Sequence, residues 1–163
     1  MRWTDPLVFF VARAFCPVSI VLPLLTSEVG SACAPKQIPI SLPLCEVLLN
    51  DDSTWPWVIL VPKVPGVEEI HDLSVSDQQQ LMKEIAMCSA AIDRWYDVDK
   101  INVGALGCVC RQLHVHVLGR NVGDIVWPKP VWGATEPVRY EAGAADAAVR
   151  KMKESIVRSG GLG

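Results

Sequence analysis

The sequence predicts an α+β fold, with a mainly antiparallel sheet, one long helix packed on it and a C-terminal helix. β-rich runs follow one another through loops, one long segment repeats its apolar residues at helical spacing, and regular strand–helix alternation is absent. A chain of 163 residues has room for one ordinary domain with a hydrophobic core. We therefore expect a folded domain over residues 37–137, preceded by an apolar segment, 1–36, and followed by a C-terminal helical region, 138–163.

Two β-rich runs begin the body of the chain. Residues 45–50 (CEVLLN) and 57–63 (WVILVPK) are separated by a polar loop that ends in Pro56. Runs of this composition on either side of such a loop predict an antiparallel hairpin. Pro62 and Pro65 end the second run, because proline has no N–H to donate to a neighbouring strand.

The longest helix is predicted after this hairpin. Ser76 is the expected N-cap, and Gln79, three residues later, completes a capping box. Apolar residues then recur at spacings of four and three, which places them on one face of a helix: Leu81, Ile85, Cys88, Ile92 and Trp95. A single apolar stripe indicates that this helix packs on the sheet.

Two more strands and a second helix complete the predicted domain. The strands are residues 101–103 (INV) and Leu113 to Leu118, the second ended by Gly119. Residues 127–132 (WPKPVW) cannot be helical because of their prolines, and they predict an ordered apolar loop. The final helix is expected from Ala144 to Arg158.

The N-terminal segment differs in composition from the rest of the chain. Residues 7–25 (LVFFVARAFCPVSIVLPLL) are apolar but interrupted by Arg13, Pro17 and Pro23, which makes them borderline for a membrane span. Residues 32–34 (ACA) have the small-x-small form of a cleavage site. A membrane anchor, a targeting segment, and a segment that packs on the domain or is poorly ordered all stay open. Localisation, cytoplasmic or organellar, stays open with them.

Charge and cysteine content exclude several classes of partner and site. The net charge of −3 and the lack of a long basic run argue against nucleic acid as a partner. Membrane contact is expected only if residues 7–25 act as an anchor. The six cysteines form no recognisable disulfide framework, so reduced thiols are expected.

Two of the three histidines lie close together in the predicted strand QLHVHVL, residues 112–118. Because successive side chains of a strand point to opposite faces, Gln112, His114 and His116 should share one face at a spacing of roughly 6.5 to 7 Å. An exposed strand face more typically carries threonine, lysine or glutamate than two imidazoles. We therefore expect a functional site here, whereas His71 is expected to be structural.

Imidazoles suit phosphoryl chemistry near neutral pH. The ordinary imidazole pKa of about 6.5 leaves much of the ring neutral and nucleophilic. Attack on phosphorus gives a phosphoramidate, which splits one difficult displacement into two easier ones. Gly104 and Gly107 would let backbone N–H groups approach phosphate oxygens, and Asn102 offers an amide. A zinc site formed by Cys108, Cys110, His114 and His116 is an alternative, although the usual finger spacing is absent.

These segments resemble the histidine triad (HIT) superfamily, whose signature alternates histidines with apolar residues. The resemblance runs from about residue 39 to 133. It is most similar to a bacterial-type subgroup with Gln-Leu-His-Val-His-Val and a Trp-Pro-x-Pro-Val-Trp-Gly segment. The segments that carry it are residues 44–51 (LCEVLLND), 59–63 (ILVPK), 70–73 (IHDL), 102–104 (NVG), 112–119 (QLHVHVLG) and 127–133 (WPKPVWG).

The resemblance implies a five-stranded, commonly dimeric fold that acts on nucleoside phosphates such as dinucleoside polyphosphates or nucleoside phosphoramidates. It implies that His114 is the nucleophile that becomes nucleotidylated and that His116 assists at the scissile phosphate and leaving group. No cofactor is expected to be required, although a divalent metal can accompany the substrate phosphates. Substrate contacts are implied for Asn102, Gly104 and Gly107 at the phosphates, Asp51 or Asn50 at the ribose, and Leu44, Val47 and Leu49 at the base.

The chain departs from the family pattern at two places. Gln112 stands where the first histidine belongs, which keeps a hydrogen-bonding side chain in the catalytic set. Residues 108–111 (CVCR) replace an expected Asn-Val-Val-Pro, and Arg111 could contact a phosphate or be solvated. A catalytically impaired nucleotide-binding or scaffold protein on the same fold is therefore the second hypothesis.

Overall fold

The structure is a computed structural model that describes residues 36–158. It shows an α+β fold with a five-stranded antiparallel sheet, which confirms the predicted fold class. The apolar segment 7–25 and the small-x-small residues 32–34 lie outside the described residues. Among the helices that are described, none has the length and apolarity needed to cross a membrane.

The sheet has the strand order β1-β2-β3-β5-β4, and every neighbouring pair is antiparallel. The predicted hairpin forms as β2 and β3, and the predicted strand at 101–103 forms as part of β4. The strand bounds are β1 Lys36–Ser41, β2 Cys45–Leu49, β3 Trp57–Pro62, β4 Lys100–Gly104 and β5 Val115–Arg120.

The last strand is shifted by two residues from its prediction. β5 begins at Val115 rather than Leu113, and it continues through Gly119 to Arg120. Gly119 does not end the strand, because it pairs with Ile101 of β4. A Cβ at Gly119 would lie 2.6 Å from Val98 and 2.8 Å from Ile92, so this glycine allows close packing against the sheet.

Two helices cover one face of the sheet. Helix α1 spans Val75–Tyr96. Helix α2 spans Ala144–Arg158, and these are the bounds that the sequence predicts. The predicted N-cap Ser76 is wrong, because Ser74 caps α1 by accepting a hydrogen bond from the Asp77 N–H at 3.1 Å. Trp95 is only half-buried, so the fully buried part of the apolar stripe ends at Ile92.

The strand alternation divides the apolar residues between two cores. The larger core lies between the sheet and the helices and includes Val47, Val115 and Val117. The smaller core lies on the opposite face and is rich in tryptophan, including Trp55 and Trp57. Residues next to each other on a strand therefore contribute to different cores.

Arg120 joins β5 to β4 and to the segment after β5. It is only 2% exposed, and its Nη2 donates to Asp124 Oδ1 at 2.9 Å. Its Nη1 donates to Asn102 Oδ1 at 3.2 Å and to the Lys129 carbonyl at 3.1 Å. Hydrogen bonding from this guanidinium lowers the pKa of Asp124 to about 2. The guanidinium therefore holds the proline-rich segment against the sheet.

Replacing Arg120 by methionine should lower the free energy of unfolding by about 3 to 5 kcal/mol, because it leaves a largely buried carboxylate without its cation. Urea denaturation measures the loss. Arg111→Met is the matched control, since Arg111 pairs with Glu68 at the exposed surface and should leave the denaturation midpoint almost unchanged. Equal effects of the two substitutions would contradict this role of Arg120.

Candidate active site

A cleft of about 250 Å³ opens on the tryptophan-rich face of the sheet, opposite the helices. Its floor comes from strands β2, β3 and β5, and its rim comes from the loop between β4 and β5 and from the segment after β5. The residues that line it are Leu48, Asn50, Trp57, Ile59, Leu106, Gly107, Cys108, Val109, Cys110, His114, His116, Trp132 and Gly133.

The two predicted catalytic histidines lie side by side in this cleft. Their ring centroids are 5.2 Å apart and the ring planes meet at 78°. His116 faces the cleft because its strand neighbours Val115 and Val117 are buried on the helix side. His114 directly precedes β5. The structure therefore brings together the imidazole pair that the sequence predicts.

Gln112 does not join the histidines in the cleft. Its side-chain amide donates to the Val64 carbonyl at 3.4 Å, and Gln112 is not among the residues that line the cleft. The structure therefore brings two of the three predicted side chains together in the cleft. The contact of Gln112 with this pair is made by its backbone carbonyl.

The Gln112 carbonyl fixes the protonation of His114. Nδ1 of His114 lies 2.7 Å from this oxygen. Since a carbonyl can only accept, Nδ1 carries the proton and donates it, which leaves the lone pair of the neutral ring on Nε2. No hydrogen bond connects that Nε2 to another of the described residues, so its lone pair is not engaged by them.

Trp57 fixes the tautomer of His116, and this tautomer is the opposite of that of His114. The indole Nε1–H of Trp57 donates to Nδ1 of His116 at 3.1 Å. An indole N–H can only donate, so Nδ1 holds the lone pair and the proton of the neutral ring is on Nε2. Burial, and then the neighbouring His114, lower the pKa of His116 to about 4. The neutral rings therefore place a lone pair on Nε2 of His114 beside an Nε2–H donor on His116.

Apart from the two histidines, the residues that line the cleft are mainly apolar. No lysine or arginine side chain lies among the lining residues, so a bound phosphate would have to contact backbone N–H groups and the imidazoles. Gly107 has a φ of +65°, a backbone conformation that favours glycine, and the loop at the rim of the cleft turns at this residue. Asn50 is 3% exposed, and its side-chain amide has no hydrogen-bond partner among the described residues.

Several residues expected to contact substrate lie elsewhere. Leu44, which directly precedes β2, and Val47 pack in the larger core, and Leu49 packs beside α2. Val47 and Leu49 do so because odd-numbered residues of β2 point away from the cleft. Leu48 and Asn50 occupy the cleft face instead.

The polar residues Asp51 and Asn102 also point to partners outside the cleft. Asp51 forms an ion pair with Arg139 at 2.8 Å and accepts a hydrogen bond from the Tyr140 N–H at 3.3 Å. Asn102 accepts from Arg120. Of the ribose candidates Asp51 and Asn50, only Asn50 lines the cleft.

Gly104 positions the cleft wall rather than lining it. A Cβ at this position would lie 3.0 Å from the indole of Trp132. That indole in turn packs against His116, with ring centroids 6.0 Å apart. Sequence reasoning missed Trp132 and Trp57 as wall residues. The strand register could have indicated the adjacent wall, since Ile59 pairs with His116 and Leu48 pairs with Ile59.

The cysteine-containing loop does not present the zinc site considered from the sequence. Cys108 is exposed, with its Sγ 3.5 Å from the Leu106 carbonyl, whereas Cys110 is buried. Across residues 36–158, no three His, Cys, Asp or Glu side chains are grouped as metal ligands. Arg111, considered as a phosphate ligand, instead donates to Glu68 at 2.9 Å.

The lowered pKa of His116 should make stability depend on pH. The folded protein binds a proton at His116 less readily than the unfolded chain does. The contribution of the neutral His116 to the free energy of unfolding is therefore fully present above the ordinary imidazole pKa, and it is lost as the pH falls toward 4. Relative to His116→Asn, the free energy of unfolding of the unsubstituted protein should fall by up to about 3 kcal/mol between pH 7 and pH 4. Denaturant titrations at both pH values measure this, and a constant difference would contradict it.

The chain is similar to histidine triad proteins of known structure. A histidine triad protein from Marinobacter aquaeolei is 42% identical, with a TM-score of 0.70, and the match covers 72% of this chain and 86% of that chain. Proteins of the same description from Bradyrhizobium japonicum and Sinorhizobium meliloti are 36% and 34% identical, each with a TM-score of 0.68. Both matches cover 82% of this chain, with 94% and 93% of the respective relatives. No curated protein matches.

Family membership follows from the sequence match together with these structures. Residues 32–123 match the model of the HIT domain, which is more than half of the chain. Membership supports a role of the HIT type, in nucleotide binding or in hydrolysis or transfer of nucleotides. The protein with the imidazole pair His114 and His116 is thus a member of the histidine triad family.

Proposed function

We propose that this protein is a nucleotide hydrolase or nucleotidyl transferase that works through a covalent nucleotidyl-His114 intermediate. Its substrates would be nucleoside phosphate derivatives, either dinucleoside polyphosphates or nucleoside phosphoramidates. The observation that carries the proposal is the hydrogen bond from His114 Nδ1 to the Gln112 carbonyl, which leaves the Nε2 lone pair for attack on phosphorus.

In the first step, the Nε2 lone pair of His114 attacks the α-phosphorus. A P–N bond forms, the bond from phosphorus to the leaving oxygen or nitrogen breaks, and the leaving atom keeps the electron pair. A leaving nitrogen also takes up a proton from water, so that it departs as a neutral amine. The ring then carries positive charge, which the Gln112 carbonyl stabilises because Nδ1–H already points to it. This stabilisation is greater in the transition state than in the resting enzyme, as catalysis requires.

His116 would assist as a hydrogen-bond donor. Its Nε2–H would donate to a phosphate oxygen or to the leaving atom, while its low pKa keeps the ring neutral at physiological pH. In the second step, water attacks the nucleotidyl-His114 phosphorus and the P–N bond breaks. His114 recovers its lone pair, the nucleoside monophosphate leaves, and the proton from water is released. A second nucleophile in place of water would make the reaction a transfer.

The cleft walls support a nucleoside as the group that is bound. Leu48, Ile59 and Leu106 offer apolar contacts of the kind that a base requires. The amide of Asn50 lacks a partner among the described residues, and it would donate to and accept from ribose hydroxyls. The phosphate would lie between the turn at Gly107 and the imidazole pair.

His114→Ala should abolish turnover while nucleotide affinity stays within roughly tenfold, because one neutral imidazole contributes little to ground-state binding. Hydrolysis assays and calorimetry measure the two quantities. His71→Ala is the matched control, since its side chain is 83% exposed and does not line the cleft. Loss of affinity with unchanged turnover at saturation would show that the role of His114 is misassigned.

The intermediate itself can be trapped. Incubation with a nucleotide-labelled dinucleoside polyphosphate or phosphoramidate, followed by a quench in base, should leave acid-labile label on His114. The label should be absent from His114→Ala and present on His71→Ala. Tight nucleotide binding without label and without turnover would overturn the enzyme proposal in favour of a nucleotide-binding protein.

A further inference from the structure

The bond between Trp57 and His116 joins two residues of neighbouring strands on the cleft face. Trp57 pairs with Leu118, and Ile59 pairs with His116, so Trp57 is diagonal to His116 across the β3–β5 ladder. The indole donates to Nδ1 at 3.1 Å, and the ring centroids are 5.5 Å apart. Trp57 is 6% exposed, so little water competes for this hydrogen bond.

The indole is held in place by its own neighbours. The ring of Trp55 packs against it at 6.3 Å and 71°, and the ring of Trp132 packs against it at 6.1 Å and 89°. Edge-to-face packing on two sides restricts rotation of the Trp57 side chain. The N–H donor is therefore fixed before any ligand binds.

We propose that Trp57 is a positioning residue that restricts His116 to the tautomer protonated on Nε2, so that His116 meets a bound phosphate as a hydrogen-bond donor. An indole N–H stabilises only a ring nitrogen that holds a lone pair, and it opposes a proton on Nδ1. Without this donor, the His116 ring would exchange between its two neutral tautomers. The tautomer assignment stands on geometry alone, whereas its importance for turnover rests on the proposed function.

The first test is the tautomer in the free, full-length protein. Nitrogen-15 NMR of imidazole rings distinguishes a protonated nitrogen from one with a lone pair. We expect His116 to show a lone pair on Nδ1 and a proton on Nε2, together with a scalar coupling across the Trp57–His116 hydrogen bond. A proton on Nδ1 of His116 would overturn the proposal, and this readout needs no substituted protein.

Two substitutions extend the test. Trp57→Phe keeps an aromatic ring and removes the N–H, so the His116 nitrogen shifts should move toward the average of the two tautomers. Trp55→Phe is the matched control, because its indole lies in the same cluster but donates to Asp124 at 3.3 Å, and His116 should keep its original pattern. An unchanged His116 spectrum in folded Trp57→Phe would contradict the proposal.

Turnover gives the last readout. Trp57→Phe should lower kcat roughly two- to tenfold, since the productive tautomer remains partly populated. In a His116→Ala background the same substitution should have no further effect, because a positioning residue acts only through its partner. An equal loss in both backgrounds would overturn the role in turnover. Absence of turnover in the unsubstituted protein would reject the proposed function, and the NMR result would still decide the tautomer.

Discussion

The site depends on two hydrogen bonds that hold adjacent imidazoles in complementary states. A carbonyl acceptor fixes the proton of His114 on Nδ1, and an indole donor fixes the lone pair of His116 on Nδ1. Because each partner has only one hydrogen-bonding role, the states of both rings follow from geometry. One Nε2 then holds a lone pair and the other carries a proton. In the proposed reaction, neither ring has to change its tautomer before a phosphate binds.

The fold supplies these partners through strand alternation. On β3, Trp57 and Ile59 face the cleft while Val58 and Leu60 pack under the helices, and β5 places His116 between two buried valines in the same way. Arg120 extends the arrangement beyond the sheet, since it holds both Asn102 of β4 and the segment that carries Trp132. The guanidinium of Arg120, which is only 2% exposed, thus stabilises the wall of an otherwise apolar cleft.

Sequence patterns predicted the elements of the fold well and the contents of the site less well. Periodicity identified the long helix and the C-terminal helix because each buries one continuous apolar face, and it identified the imidazole pair because two histidines alternate with valines. The family resemblance, rather than periodicity, implied substrate contacts for Val47 and Leu49, which point away from the cleft. Because β2 is buried on both faces, its composition does not reveal which residues face the cleft. The resemblance also implied contacts for Asp51 and Asn102, whose partners Arg139 and Arg120 are set by tertiary packing. The predicted N-cap Ser76 lies two residues after the observed one, because Ser74 also has the side chain of an N-cap.

A crystal structure with a bound nucleoside monophosphate tests the central claim most directly, because it locates the phosphorus relative to both rings. The account predicts the phosphorus within about 4 Å of His114 Nε2, with His116 Nε2 within about 3.2 Å of a phosphate oxygen. It also predicts that the hydrogen bonds to the Gln112 carbonyl and the Trp57 indole persist. A phosphate that binds away from both Nε2 atoms, or that displaces the indole from His116, would contradict it.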